Sequence, residues 1–224
     1  MKNSFEYENW RDDAEKAVAY CPAFVSMAYG YNSDVHEDYF KPCCDKVKAV
    51  SVHYKDFEFP KSKTILKPYL QLDWFFYAFS PELTGQIIEF GIDDKPEDVF
   101  RPVWTRKHDK PLCYSIEPQH IIEPIAHLNN YKTKVICADC HITHATVREK
   151  DSGENNSFGK PLYITEKILS GLHDFNVTSE FFGPGGYLLQ QVIISKRIHD
   201  FIIEKYPRAE FKPVLLADDK KSKS

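Results

Sequence analysis

The sequence predicts an α+β fold, a mixed sheet with packed helices that contains two similar strand–helix–strand units. Strand-like and helix-like apolar segments are both present, and two distant segments repeat the same pattern. The 224 residues are 42% hydrophobic and include sixteen Phe and thirteen Tyr, which is enough material for an ordinary packed core.

No Pro/Gly/Ser-rich linker separates the two repeated segments, so we expect one domain over residues 1–216. Sub-lobes at 1–150 and 160–216 are the alternative division. The polar tail 217–224 is expected to be disordered.

Composition limits the environment and the partners. No apolar run approaches the roughly 20 residues that cross a bilayer, and the polar, acidic start lacks the apolar stretch of a signal peptide. We therefore expect a soluble, cytoplasmic protein without a membrane partner, whose six cysteines are reduced. The net charge of −4 argues against nucleic acid as a partner, because phosphate binding needs a basic surface.

In the first half of the chain the sequence predicts both helices and strands. Ser80-Pro81 has the form of a helix start, a capping side chain followed by proline at the first helical position. The predicted elements are a helix at 8–19, strands at 47–54 and 69–79, the helix after Ser80, and paired strands at 100–105 and 112–116.

The second half begins with a short helix or turn that Pro124 disturbs. Residues 148–160 are charged, rich in Gly, Asn and Ser and without apolar periodicity, which is typical of a loop. The other predicted elements are the turn at 121–128, a strand at 131–137, ordered segments at 163–172 and 175–182, and a strand at 187–194.

The repeated pattern supports the fold prediction most directly. FSPELTGQIIE, starting at Phe79, and ISKRIHDFIIE, starting at Ile194, place a serine, an aliphatic residue three positions later and Ile-Ile-Glu in the same register. Each is followed by Phe-basic-Pro-Val, at 100–103 and 211–214. Pro102 and Pro213 lack the N–H that a central strand needs, so each is expected at an edge or a bulge.

Ser80 and Ser195 are interpreted as helix caps. The alternative, a nucleophilic serine, would need the sharp G-x-S-x-G turn, and neither serine has it. A cap followed by a helix with one apolar face explains both positions.

The two copies resemble the corresponding segments of immunity proteins from bacterial polymorphic toxin systems. The similarity is carried by GPGGYLLQQV followed by ISKRIHDFIIEKYPRAEFKPV, and by FSPELTGQIIEFGIDD followed by FRPVW, and it covers residues 69–135 and 160–216. The resemblance implies a non-enzymatic inhibitor that neutralises a cognate protein toxin by direct binding, without a cofactor.

Such an inhibitor needs a surface that complements its toxin. The candidate partner-binding residues lie in an acidic stretch: Glu89, Asp93, Asp94, Glu97 and Asp98. The loop at 148–160 and the aromatic residues within 28–40 are further candidates. A solvated helix end and turn is the simpler interpretation of the acidic stretch.

VICADCHITHAT, residues 135–146, is the other candidate site. Cys137 and Cys140 have the spacing of half a tetrahedral zinc site, to which His141 and His144 are possible additions, but no second C-x-x-C completes it. Haem attachment and a redox dithiol are disfavoured by the cytoplasmic setting and by the absence of a thioredoxin-like context. In the simplest interpretation Cys137 ends a strand and the other residues belong to a loop.

Two other functions stay open beside the immunity protein. One is a zinc-dependent enzyme or zinc-stabilised protein that uses the Cys137, Cys140 and His144 cluster, and the other is a cytoplasmic adaptor that binds some other protein. The adjacent pair His173-Asp174 has no visible nucleophile and is given no acid–base role. The oligomeric state does not follow from the sequence.

Overall fold

The computed structural model describes residues 11–23, 68–73, 76–103, 109–129, 131–137, 142–147, 161–182 and 189–217. Over these residues it has the predicted α+β class, with two sheets and packed helices. The helices are α1 (Arg11–Ala14), α2 (Pro81–Phe90), α3 (Pro96–Val99), α4 (Glu166–Ser170) and α5 (Lys196–Lys205), with a 3₁₀ helix at Ala126–Asn129. None of the helices in these ranges is long and apolar enough to cross a membrane.

The strands form a larger mixed sheet and a smaller antiparallel one. They are β1 (Ala19–Pro22), β2 (Tyr69–Asp73), β3 (Phe76–Phe79), β4 (Phe100–Val103), β5 (Cys113–Ile116), β6 (Ile121–Ile122), β7 (Tyr131–Cys137), β8 (Ile142–Val147), β9 (Leu162–Ile164), β10 (Phe175–Phe182), β11 (Leu189–Ser195) and β12 (Phe211–Leu216). The larger sheet has the order β7-β8-β10-β11-β1-β12-β9, with β6 paired to β10. The smaller sheet has the order β2-β3-β5-β4.

The two repeated segments form equivalent strand–helix–strand units, as the sequence predicts. In each unit an antiparallel strand lies between the two strands that the helix connects: β5 lies between β3 and β4, and β1 lies between β11 and β12. The inserted strands are in register as well. Tyr114 lies opposite Phe79 on one side and Pro102 on the other, and Tyr20 takes the same position opposite Pro213.

Both serines cap their helices, which confirms that prediction. The Ser80 side-chain oxygen accepts a hydrogen bond from Leu83 N at 3.1 Å, and the Ser195 oxygen accepts one from Ile198 N at 3.3 Å. The two caps share an extended backbone, with φ and ψ of −62° and 158° at Ser80 and −63° and 155° at Ser195. An N-cap of this kind satisfies one of the free N–H groups of the first helical turn.

The capped helices bury the same positions in one shared core. Leu83 and Ile87 of α2, and Ile198 and Ile202 of α5, are fully buried and belong to a single apolar cluster. Phe90 of α2 stacks on Phe201 of α5 with ring centroids 4.3 Å apart, so an aromatic contact connects the two units. A second apolar cluster lies around β1, β9, β12 and α4.

The helix predicted at 8–19 is wrong over much of its length. Within the described residues only Arg11–Ala14 is helical, and the chain from Ala19 to Pro22 is β1. Pairing on both sides with β11 and β12 overrides the helical spacing of the apolar residues. The Tyr20 hydroxyl donates a hydrogen bond to the Ala14 carbonyl oxygen at 3.2 Å, which holds the short helix against the strand.

The single strand predicted at 69–79 is two strands, β2 and β3, which pair with each other in antiparallel fashion. The short helix or turn predicted at 121–128 is β6 followed by the 3₁₀ helix. The predicted strand at 47–54, the loop at 148–160 and the tail from residue 218 onward lie outside the described residues.

The two prolines of the repeat differ in position. Pro102 lies in β4, an edge strand of the smaller sheet in the described part of the chain. Pro213 lies in β12, between β1 and β9, but β9 pairs with β12 only from Val214 onward. On the β9 side, Pro213 therefore precedes the paired residues, where a missing N–H costs least.

The two caps differ in a way that mutation can measure. Ser80→Ala removes one capping bond and is expected to lower the free energy of unfolding by about 1 kcal/mol. Ser195→Ala is expected to cost more, about 2–3 kcal/mol, because the Ser195 hydroxyl also donates to the buried carboxylate of Asp174 at 2.6 Å. Urea-induced unfolding of both variants measures the difference. Threonine at either position keeps the capping oxygen and serves as the control, and equal losses for the two alanine variants would contradict this account.

Candidate functional site

Polar residues converge where the loop after α2 meets the beginnings of β10 and α5. At the centre is Asp174, which is only 1% exposed although it carries a carboxylate. A buried carboxylate is costly unless donors surround it, so its partners define the cluster.

Donors from two chain segments, residues 195–197 and the loop that contains Asp93, bind the Asp174 carboxylate. Its Oδ1 accepts from the Ser195 hydroxyl at 2.6 Å and from Arg197 Nε at 3.0 Å. Its Oδ2 accepts from the backbone N–H of Asp93 at 3.1 Å and also contacts the Arg197 guanidinium. We call Asp174, Ser195, Arg197 and Asp93 the Asp174 cluster. It joins β10, α5 and the loop that follows α2.

Arg197 extends these contacts to the end of α2. Its guanidinium donates to the Gly91 carbonyl oxygen at 2.7 Å and lies 5.2 Å from the centre of the Phe90 ring. Gly91 ends the helix with φ of +88°, a conformation that favours glycine. The Arg197 side chain remains 45% exposed, so one of its faces meets solvent while the other holds the loop.

Two stacked histidines lie beside the cluster. The rings of His120 and His173 have centroids 3.9 Å apart and are nearly parallel. His173 Nδ1 is 2.7 Å from Asp94 Oδ1, and His120 Nδ1 is 2.8 Å from Asn176 Oδ1. The Asn176 NH₂ group donates to the carbonyl oxygens of His173 and Ile193, which leaves Oδ1 as the acceptor and makes His120 Nδ1 the donor. The pair fixes the chain before β6 against the start of β10.

The acidic candidates differ in their surroundings. Asp94 is engaged inside the protein through His173, and its side chain is only 13% exposed. Asp93 donates its backbone N–H to Asp174, but its side chain is 63% exposed and lies 3.7 Å from the Arg197 guanidinium. Glu89, Glu97 and Asp98 are exposed to solvent. The structure therefore places Asp94 and the backbone of Asp93 at the polar residues around Asp174, and it leaves the carboxylates of the other four candidates on the surface.

The Cys137-to-His144 motif is only partly described. Cys137 ends β7 opposite Ile142, and His144 lies within β8, opposite Lys134 of β7 and Phe181 of β10. Cys140 and His141 lie outside the described residues. Over the ranges that are described, no group of three or more His, Cys, Asp or Glu side chains is placed to hold a metal. The zinc site stays a prediction.

Cys21 of β1 and Cys113 of β5 have buried thiols. Burial raises the pKa of Cys21 to about 11 and that of Cys113 to about 12. Both are therefore protonated at neutral pH, and a protonated thiol is a poor nucleophile and metal ligand.

Lys212 is buried, although the repeated sequence pattern gives it the same position as the exposed Arg101. In the Phe-basic-Pro-Val strands Arg101 is exposed, whereas Lys212 is 6% exposed and lies opposite Cys21. Burial lowers the pKa of the Lys212 ammonium, and only the charged, thiolate form of Cys21 acts in the opposite direction.

Sequence reasoning missed the Asp174 cluster. His173-Asp174 was visible as an adjacent pair, but its partners Ser195 and Arg197 lie in a different segment of the chain. The available signal was the arginine two residues after a capping serine, which places a cation beside the start of the helix.

No family model matches this chain, and neither does any curated protein or solved structure.

Removal of the Asp174 carboxylate tests whether the Asp174 cluster stabilises the fold. Asp174→Ala leaves the Arg197 guanidinium, the Ser195 hydroxyl and the Asp93 N–H without their acceptor, so we expect a loss of about 3 kcal/mol in the free energy of unfolding. Chemical denaturation measures it. Asp109→Ala, at an exposed position, is the control and is expected to leave stability unchanged. A small loss in Asp174→Ala would show that the cluster does not hold the two units together.

His199 gives the fold a pH dependence. Its ring stacks on Tyr20 with centroids 3.4 Å apart, and burial lowers its pKa despite the nearby Asp200 carboxylate. The unfolded chain, in which histidine titrates near 6.5, therefore binds more protons than the folded chain below about pH 7. Stability is complete above that range and falls as the pH decreases.

Replacement of His199 by Phe keeps an aromatic ring on Tyr20 and removes the titrating group. We expect the decrease in the free energy of unfolding between pH 7.5 and 5.5 to become smaller in His199→Phe. Denaturation at several pH values measures the slope. The same change at the exposed His127 is the control, and an unchanged slope in His199→Phe would contradict the assignment.

Proposed function

We propose that this chain is an immunity protein that neutralises a cognate bacterial protein toxin in the cytoplasm by direct binding, without catalysis. The proposal rests on one observation above all. The two serines with which the repeated units begin their helices both use their side-chain oxygens as caps. The repeated elements therefore have a structural role. We infer that the protein acts through residues on its surface, by binding another protein.

The polar cluster supports the same conclusion. Every carboxylate oxygen of Asp174 accepts from a group of the protein itself, and those donors come from separate elements that the contacts hold together. A general acid or base needs access to the proton that it transfers. Asp174 is buried and fully engaged, which fits a positioning role inside the fold.

The surface of α2 offers what a binding protein needs. Ile88 and Phe90 are large apolar residues that are 40% and 43% exposed. They belong to the same segment as the exposed carboxylates Glu89, Glu97 and Asp98. Apolar anchors within a charged rim are the usual composition of a protein-binding surface.

Co-expression with the protein encoded by the adjacent upstream gene tests this function. If that neighbour arrests growth when expressed alone, we expect this chain to restore growth and to be recovered with it as a stable complex. Ser80→Ala and Ser195→Ala are expected to protect equally well at a temperature at which both variants remain folded.

Two results would overturn the proposal. The first is continued growth arrest by a neighbour of proven toxicity in the presence of abundant folded protein. The second is loss of protection in a serine variant whose fold and complex are intact, because that pattern indicates catalysis.

A further inference from the structure

The internal repeat allows the two capped helices to be compared position by position. Their buried sites carry equivalent residues: Leu83 corresponds to Ile198, and Ile87 corresponds to Ile202, and all four are fully buried. These positions are set by the common framework. Differences between the helices on the solvent side are not required by that framework.

The solvent sides of the two helices carry different chemistry. The exposed residues of α2 include acidic and apolar side chains and no basic ones, whereas α5 exposes three cations beside two carboxylates. The exposed acidic and large apolar residues of α2 are Glu82, Ile88, Glu89 and Phe90, and the exposed charged residues of α5 are Lys196, Arg197, Asp200, Glu204 and Lys205.

Of the two helices, only α2 exposes large apolar side chains, and it does so in its last turn. Ile88 corresponds in register to Ile203 of α5, which is partly buried against the main core, whereas Ile88 is 40% exposed. Phe90 corresponds to the charged Lys205. Phe90 stacks on Phe201 with ring centroids 4.3 Å apart and nevertheless keeps 43% of its surface in solvent.

The charge along this stretch of the chain is mostly negative. Between residues 82 and 98 the chain has six carboxylates and a single lysine, Lys95; the carboxylates are Glu82, Glu89, Asp93, Asp94, Glu97 and Asp98. Two cations of α5 lie close to this turn. Arg197 approaches Phe90, but its charge is compensated by the buried Asp174, and Lys205 lies 5.0 Å from the centre of the Phe201 ring on which Phe90 stacks. An apolar contact placed in an acidic surrounding complements a basic protein surface that has an apolar recess.

We propose that the last turn of α2, residues 88–90, is the docking site for the toxin and that the occupant is a basic face of that toxin. This inference rests on the proposed immunity function and adds the location and the charge of the interface. Ile88 and Phe90 supply the apolar contact from which water is excluded. Glu89 and the carboxylates beyond it accelerate association with the basic face.

A binding experiment with two variants of the turn and one matched control tests the assignment. The probe is a purified, catalytically inactive form of the toxin encoded by the adjacent gene. Ile88→Lys and Glu89→Lys alter the proposed site, and Glu204→Lys makes the same charge change at the register-equivalent, exposed position of α5. Thermal unfolding of all three proteins verifies that the fold is retained.

We expect Ile88→Lys to weaken binding at least about tenfold, because it removes a central apolar anchor and places a cation against a basic face. Glu89→Lys is expected to lower the association rate about threefold or more at low salt, with a smaller effect at high salt where charges are screened. Glu204→Lys is expected to bind with an affinity within about twofold of the wild type.

The outcomes separate this inference from the function on which it rests. If the wild-type protein does not bind the inactive toxin, the immunity function and the docking site both fall. If the wild type binds and both α2 variants bind as tightly, only the docking site is overturned. If Glu204→Lys weakens binding as much as Glu89→Lys does, net charge explains the effect and the assignment to α2 is also overturned.

Discussion

The hydrogen-bonded contact between Asp174 and Arg197 sets the relation between the two repeated units. The carboxylate is buried at the start of β10, and the guanidinium comes from the first turn of α5 and reaches the end of α2. Because the cost of burying the carboxylate is offset only when all its donors are in place, the start of α5 and the loop after α2 are fixed together. The exposed turn of α2 is therefore held in one position, and a surface held in place loses less entropy when it binds.

The two repeated units share a framework of buried residues but present different surfaces to solvent. Each unit has a capped helix, two strands in the same sheet and an antiparallel strand between them, with a tyrosine at the equivalent register position. The buried positions keep the unit stable, so they retain similar residues. The exposed positions are free of that requirement, and they carry carboxylates and apolar groups on α2 but mostly cations on α5.

Local patterns in the sequence were sufficient for the parts of the fold that depend on near neighbours. The caps at Ser80 and Ser195 and the strand pair formed by β4 and β5 could be predicted because their signals lie within a few residues. The strand β1 could not, because its partners lie at the other end of the chain and its apolar spacing also suits a helix. The Asp174 cluster was missed for the same reason, since a lone Asp next to a His does not indicate which distant Arg it meets. The candidate partner-binding residues were identifiable as an acidic stretch, but only the folded structure distinguishes Asp94, which pairs with His173, from the exposed Glu89.

The position of β1 has a consequence for folding. This strand lies between β11 and β12, although most of the described chain separates it from them in sequence. Contacts between such distant segments slow folding. Until β1 is inserted, the facing edges of β11 and β12 keep unpaired backbone groups, and unpaired strand edges are the sites at which a second copy of a chain adds its own strand. Exchange of β1 between two copies is therefore the form of misassembly to which this topology is most exposed.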